Sequence, residues 1–263
     1  MRRLTLLFVL FFGLIEGNSA PLSEATLRAI RFDQRIGSQV SPDLPFRDEA
    51  GATVKLGDYF GSKPVILVPG YYGCPMLCTL VLNGLIEALQ DMRANVGEQF
   101  IVINFSIDPT ENPTLAAAKK RTYLRSYGRP GAENGWTFLT GDADSIQALT
   151  GQIGFHYAYD PAIKQYAHPS GFVVLTPEGK VARYFFGVDY SARDLDSSLV
   201  AAASHKTGSP VQQLFLLCFH YSPITGKYGP LIINAVRVCG IGTVVFLGLI
   251  IGRSVAHERV PRA

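Results

Sequence analysis

Residues 64–93 read PVILVPGYYGCPMLCTLVLNGLIEALQDMR. Between Pro64 and Pro69 the run VILV is short, continuous and apolar, the pattern of a buried strand. GYYGCP follows as a loop. From Met76 to Arg93 the residues Leu77, Val81, Leu85, Leu89 and Met92 recur at helical spacing. The stretch is therefore a strand, a loop and a helix, with two thiols, Cys74 and Cys78, at the join.

The pattern continues outward on both sides. Upstream, Asp48 to Gly51 is a turn signal between two short strand candidates. Downstream, FIVINFSI (100–107) is a second strand. Pro113 opens a helix in NPTLAAAKKRTYLRSYG, which Gly128 ends. Trp136 to Leu139 is a short strand, and Asp142 caps a helix reaching about Thr150. Phe172 to Leu175 and Val181 to Phe186 form a hairpin around PEGK, and Ser191 starts a last helix, SARDLDSSLVAAA. Strands alternating with helices, then a hairpin and a helix, predict an α/β fold: a central mixed sheet with helices on both faces. There is no internal repeat and no low-complexity tract.

The two ends differ from this middle. Charged residues are 17% of the 263-residue chain and hydrophobic ones 48%, against about 25% charged in an ordinary soluble domain. That balance excludes intrinsic disorder and predicts that part of the chain sits in lipid. The net charge of +3 is spread without a dense basic run, so no nucleic-acid partner is indicated. At the N-terminus, Arg2 and Arg3 precede an apolar run from Leu4 to Ile15, broken by Glu16. Such a run is too short to span a bilayer and describes a signal peptide, residues 1–19, cut after Ser19; an uncleaved anchor is the alternative. Near the other end, residues 231–252 are long enough to cross as a transmembrane helix. Asn234 and Arg237 interrupt its first third, and a buried amphipathic helix is the alternative. Arg253, Arg259 and Arg262 follow it, marking residues 253–263 as a cytoplasmic tail and placing the middle of the chain outside. Residues 204–230 are then a linker and membrane-proximal stretch.

Four cysteines are too few for a disulfide scaffold. Cys74 and Cys78 are four residues apart at a helix start, so they project from one side. The positive end of the helix favours thiolate at both. Thiolates exchange with disulfides or bind a soft metal. An inert disulfide, or two buried thiols, is the plain alternative. Two thiolates can hold Cu(I), and a third ligand would define the site better. Of the five histidines, His257 falls on the cytoplasmic side, His205 and His220 lie outside the core fold, and His156 reads as a strand residue. His168, in QYAHPSGFVVL, precedes a buried strand in a loop that can reach the strand ends where α/β folds place their sites. These residues alone leave open whether it is a ligand.

YYGCPMLCTLVLNG, FSIDPTENP and HPSGFVVLTPEGK, in this order and at these intervals, resemble the Sco/SenC family of copper-binding assembly proteins over about residues 35–203. The resemblance implies a thioredoxin-like fold with Cys74, Cys78 and His168 as ligands to Cu(I) or Cu(II). It implies help in maturing the dinuclear copper centre of cytochrome c oxidase, and thiol–disulfide chemistry on that centre's cysteines. The partners it implies are the copper-centre subunit of the oxidase and a copper donor protein. The location it implies is the bacterial inner membrane, with the globular domain on the periplasmic or extracytoplasmic side. Asp108 matches the family's acidic residue in the SIDP block, with a role beside the ligands or as a polar strand end before Pro109. The commoner family layout has an N-terminal anchor and no C-terminal span, so this chain's order departs from it. Cys218 and His220 in LLCFHYSP are an accessory metal or redox site or, more simply, packing residues; Cys239 is a small residue within the span.

Two functions of different class follow. A metallochaperone needs the two thiolates and the imidazole, with an open side for ligand exchange. A thiol–disulfide oxidoreductase would attack with Cys74 and resolve with Cys78, without needing His168.

Overall fold

A computed structural model describes residues 30–161, 163–207, 238–243 and 247. Its centre is a five-stranded sheet built from β4 (Val65–Gly70), β5 (Ile101–Ser106), β6 (Trp136–Leu139), β10 (Gly171–Leu175) and β11 (Val181–Phe186). The order across the sheet is β11-β10-β4-β5-β6. β4, β5 and β6 run parallel, and β10 and β11 run antiparallel to their neighbours, so the sheet is mixed. The parallel pairs are joined by helices: α1 (Leu77–Asp91) between β4 and β5, and α2 (Pro113–Tyr127) between β5 and β6. α3 (Ala143–Ile153) follows β6, and α4 (Ala192–Ala203) follows β11.

Alternation along the strands divides the core into two layers. Ile66, Val68, Val102, Phe172 and Val174 pack with α1, α2 and α4. Val65, Leu67, Ile103, Val173 and Leu175 face the other way, onto α3 and the β2–β3 hairpin (Pro45–Arg47 and Thr53–Lys55). Successive side chains of a strand point to opposite faces. A sheet covered on both faces therefore needs the continuous apolar runs seen in the sequence.

The helix ends follow their predicted signals. Asn112 caps α2 by accepting from Leu115 N–H at 3.0 Å, Pro113 takes the first helical position, and Gly128 closes the helix at φ 73°. Asp142 caps α3 through Ser145 N–H at 2.7 Å, and the helix runs on to Ile153, one turn beyond the predicted end.

Short strands add to the predicted plan. β1 (Arg31–Phe32) pairs with β7 (Phe155–His156), and β8 (Ala158–Asp160) with β9 (Gln165–Ala167). His156 lies in β7 and its Nε2 meets Asp33 Oδ2 at 2.9 Å, a structural pairing away from the thiols.

The predicted leader (1–19), the stretch with Cys218 and His220 and the tail (253–263) lie outside the described residues. Within 231–252, residues 238–243 are helical and Cys239 is exposed. Among the described residues no helix is long and apolar enough to cross a membrane.

Candidate metal centre

The site forms where β4 stops and α1 starts. The loop 71–76 joins them and carries Cys74; Cys78 lies in the first turn of α1. His168 arrives from far along the chain, in the short segment between β9 and β10. Val173 of β10 stands opposite Leu67 of β4 and the two strands run antiparallel. Extending that register brings the start of β10, and His168 with it, to the C-terminal end of β4.

The donor atoms of Cys74, Cys78 and His168 all lie within 4.8 Å of one another, and each residue is only 8% exposed. No other group of three such side chains converges in this way among the described residues. Metal bonds of about 2.0–2.3 Å to nitrogen and sulfur put donors about 3.5–4 Å apart around one ion, so small adjustments let the three donors close on a cation.

Each donor is held by its surroundings. Cys78 Sγ stands 3.1 Å from His168 Nε2. His168 Nδ1 lies 2.8 Å from the Pro169 carbonyl oxygen, which can only accept. The proton therefore sits on Nδ1, and the Nε2 lone pair faces the thiols. Edge contacts from Tyr71 (ring centroids 5.9 Å apart) and a tilted Phe155 (5.8 Å) fix the imidazole plane. Cys74 Sγ accepts from Cys78 N–H at 3.3 Å, and Cys78 Sγ from Tyr71 N–H at 3.5 Å. Cys74 thus does for α1 what a capping oxygen does elsewhere. Met76, the N-cap residue by position, makes no side-chain cap bond. Gly70 leaves room for this arrangement, since a Cβ there would stand 3.3 Å from Cys78 Sγ.

The two thiols do not behave alike. The hydrogen bond from Cys78 holds the Cys74 thiol well below its ordinary range, with the N–H groups of Cys78 and Met76 acting the same way against burial. Cys78 moves up, because its hydrogen bond to Cys74 and its burial both favour the thiol. The expectation that the helix end favours thiolate at both cysteines holds for Cys74 alone. The physical reason is proximity: one proton shared between two sulfurs leaves easily from one and is kept by the other.

A carboxylate absent from the sequence reading supports the ligand loop. Glu111 accepts from Tyr72 N–H at 2.7 Å, Gly73 N–H at 2.5 Å and Ser106 Oγ–H at 2.6 Å. Burial pushes its carboxyl up, against those three bonds. Asp108 plays a different part from this one: its Oδ1 accepts from Thr110 N–H at 2.9 Å and Thr110 Oγ1–H at 2.7 Å. Those bonds turn the chain between β5 and α2.

Comparisons with known proteins agree with this architecture. No curated protein sequence matches the chain. A crystal structure of a protein from Aquifex aeolicus VF5 is similar at 26% identity and a TM-score of 0.57, covering 65% of this chain and 96% of that one. BsSco, a member of the Sco family of cytochrome c oxidase assembly proteins, is similar at 20% identity and a TM-score of 0.52, covering 67% and 99%. Arabidopsis thaliana ScoI, solved with copper bound, matches at 17% identity and a TM-score of 0.50, over 62% of this chain and 96% of its own. At the sequence level, the model of the family described as SCO1/SenC matches residues 33–203. That span runs from just after β1 to the end of α4, contains Cys74, Cys78 and His168, and makes up well over half of the chain, which therefore belongs to the SCO1/SenC family.

Proposed function

We propose that this chain is a copper metallochaperone that holds Cu(I) through Cys74, Cys78 and His168. It delivers the ion during assembly of the dinuclear copper centre of cytochrome c oxidase. The convergence of the two sulfurs and Nε2 within 4.8 Å carries the reading. Cu(I) is soft and suits thiolate and imidazole donors. Three protein ligands leave one side of the ion for an incoming partner. Binding drives off the proton that Cys78 keeps in the free protein, so uptake releases protons and weakens as pH falls. Family membership supports the assembly role, with the copper-centre subunit of the oxidase receiving the ion from this chain and a donor protein supplying it. The composition of residues 1–19 and 231–252 supports export and tethering at the bacterial inner membrane, with the sheet domain on the extracytoplasmic side.

A second reading rests on the low pKa of Cys74 at the start of α1. As a thiolate it can attack a partner disulfide, and the partner's leaving sulfur departs as thiolate. Cys78, losing its proton, then displaces the mixed disulfide. The partner gains two electrons and the Cys74–Cys78 pair becomes a disulfide. An anaerobic Cu(I) titration against a chromophoric chelator separates the two, run on wild type, Cys74→Ala, Cys78→Ala and His168→Ala. One tight copper per chain, weakened in all three variants, establishes the ligand set. Copper bound no tighter than in the variants refutes the chaperone reading. Disulfide exchange that survives His168→Ala would then make the protein a thiol reductase.

A further inference from the structure

The three donors are each only 8% exposed, so an arriving ion has to pass what covers them. Along the ligand loop the exposed residues are Gly73, Pro75 and Met76. On the other side, His168 is covered by Tyr71 and Phe155, with Tyr166 against Tyr71. Among these groups only Met76 carries a soft donor atom. Its side chain is 67% exposed, and no large apolar side chain of residues 30–207 is more so.

The position breaks two local rules. Met76 is the N-cap residue of α1, where Ser, Thr, Asp and Asn are favoured, and its side chain caps nothing. It is also a long apolar side chain left in water two residues from each of two buried thiols. Its backbone is engaged, since the Met76 carbonyl oxygen accepts from Leu80 N–H at 3.1 Å. Local rules broken without structural gain are expected at functional positions.

We propose that the Met76 thioether is the intake ligand of the site, the first protein atom to take Cu(I) from a donor. The proposal rests on the copper reading above. A thioether is soft, and the methionine side chain is unbranched and mobile. Unlike a thiol, it has no proton to lose before it binds. The sequence of bonds is simple ligand exchange. The Met76 Sδ–Cu bond forms as one donor–Cu bond breaks. The Cys74 sulfur then binds the ion as the donor's remaining bonds to it break and the free donor leaves. The Cys78 sulfur and His168 Nε2 follow, with the Cys78 proton released to water, and the Sδ–Cu bond breaks as they close. Copper remains Cu(I) throughout and no electron moves.

The test is stopped-flow transfer of Cu(I) from its bicinchoninate complex to the reduced full-length chain in detergent. A Cys74→Ala/Cys78→Ala double variant subtracts uptake elsewhere. Met76→Leu keeps the apolar bulk and removes the sulfur, and Met76→Ala removes both. Both variants should slow second-order uptake about tenfold, and equilibrium affinity should stay within about twofold of wild type. Uptake by Met76→Leu at the wild-type rate overturns the proposal and leaves Met76 an apolar contact. A loss of affinity as large as the loss of rate overturns it too, by making the thioether a resident ligand. Wild type that takes no copper at the Cys74–Cys78 pair removes the underlying reading, a result distinct from both.

Discussion

Replacing Glu111 by alanine tests how far the ligand loop depends on a group outside the ligand set. Three donors lose their acceptor, but not equally. Gly73 is exposed, so water replaces the carboxylate at its N–H. Ser106 Oγ already lies 3.3 Å from the Asp108 carbonyl oxygen and can turn fully to it. The loss therefore concentrates on the N–H of Tyr72, a buried residue. A hydrogen bond to a charged group contributes about 1.5–3 kcal/mol. Relief from burying the carboxylate, visible in its raised pKa, offsets part of this, leaving a net loss of about 1–2 kcal/mol. With a urea slope near the upper end of about 1–3 kcal/mol/M, the midpoint falls by about half a molar. Trp136 is the single tryptophan and is fully buried, so its fluorescence follows unfolding. Because the clamp holds the residues just before Cys74, copper affinity should fall with stability, by about 5–30-fold. The sign of the pH dependence is also fixed. The folded-state pKa of Glu111 is raised, so its contribution is fully present below the unfolded value and is lost as pH rises through the folded one. The stability of wild type relative to Glu111→Gln should therefore increase as pH is lowered from neutral. Copper affinity unchanged in Glu111→Ala, with stability reduced as stated, would refute the coupling between clamp and ligand loop.

Gly84→Ala places a Cβ 1.9 Å from the Val188 carbonyl oxygen. Backbone must move to admit it, so the thermal midpoint should drop by about 5 °C or more in calorimetry, from an overpacking cost of about 1–3 kcal/mol or above. Asn104→Ala removes the acceptor that meets Trp136 Nε1–H at 2.8 Å in the core. It should cost about 1–3 kcal/mol in urea unfolding for the stranded indole donor and shift the tryptophan emission. Gly70→Ala crowds Cys78 Sγ at 3.3 Å. It should weaken Cu(I) binding about tenfold in chelator competition, the equivalent of about 1.4 kcal/mol, while the unfolding midpoint moves little.

The parts of the molecule legible in the sequence are those with a local mark. The runs VILV and FIVINFSI, the helical recurrence after Met76 and the helix starts at Pro113, Asp142 and Ser191 each leave a pattern within a few residues, and each element stands where its pattern lies. Cys74 and Cys78 are legible for the same reason, being placed by the strand before them and the helix after. His168 is marked as a ligand by resemblance and not by its own neighbours, because its pairing with Cys78 spans 90 residues and depends on β10 returning antiparallel beside β4. Glu111 left no mark, because its partners are two backbone N–H groups and a serine. An acidic residue before Asn112-Pro113 reads as a solvated turn until the fold aims it. Asp108 is marked by resemblance, and its carboxylate accepts from Thr110 N–H. The strands β1, β7, β8 and β9, of two or three residues, are shorter than the window in which alternation can be recognised.

The chaperone and reductase readings draw on one geometry and exclude each other in time. Cys74 caps α1 through the Cys78 N–H, and the same closeness that makes this possible leaves one proton between two sulfurs. A soft cation removes that proton and uses both sulfurs as ligands. A disulfide also uses both, and a sulfur in a disulfide has no thiolate charge to offer a metal. Each chain is therefore either able to hold copper or able to have been oxidised by its partner, never both at once. On the chaperone reading His168 belongs to the first state, and the second does not involve it. Its Nδ1–H is tied to the Pro169 carbonyl oxygen, a bond that involves neither sulfur. On the chaperone reading, reduction of the pair returns both sulfurs to the three-donor group that the structure brings together.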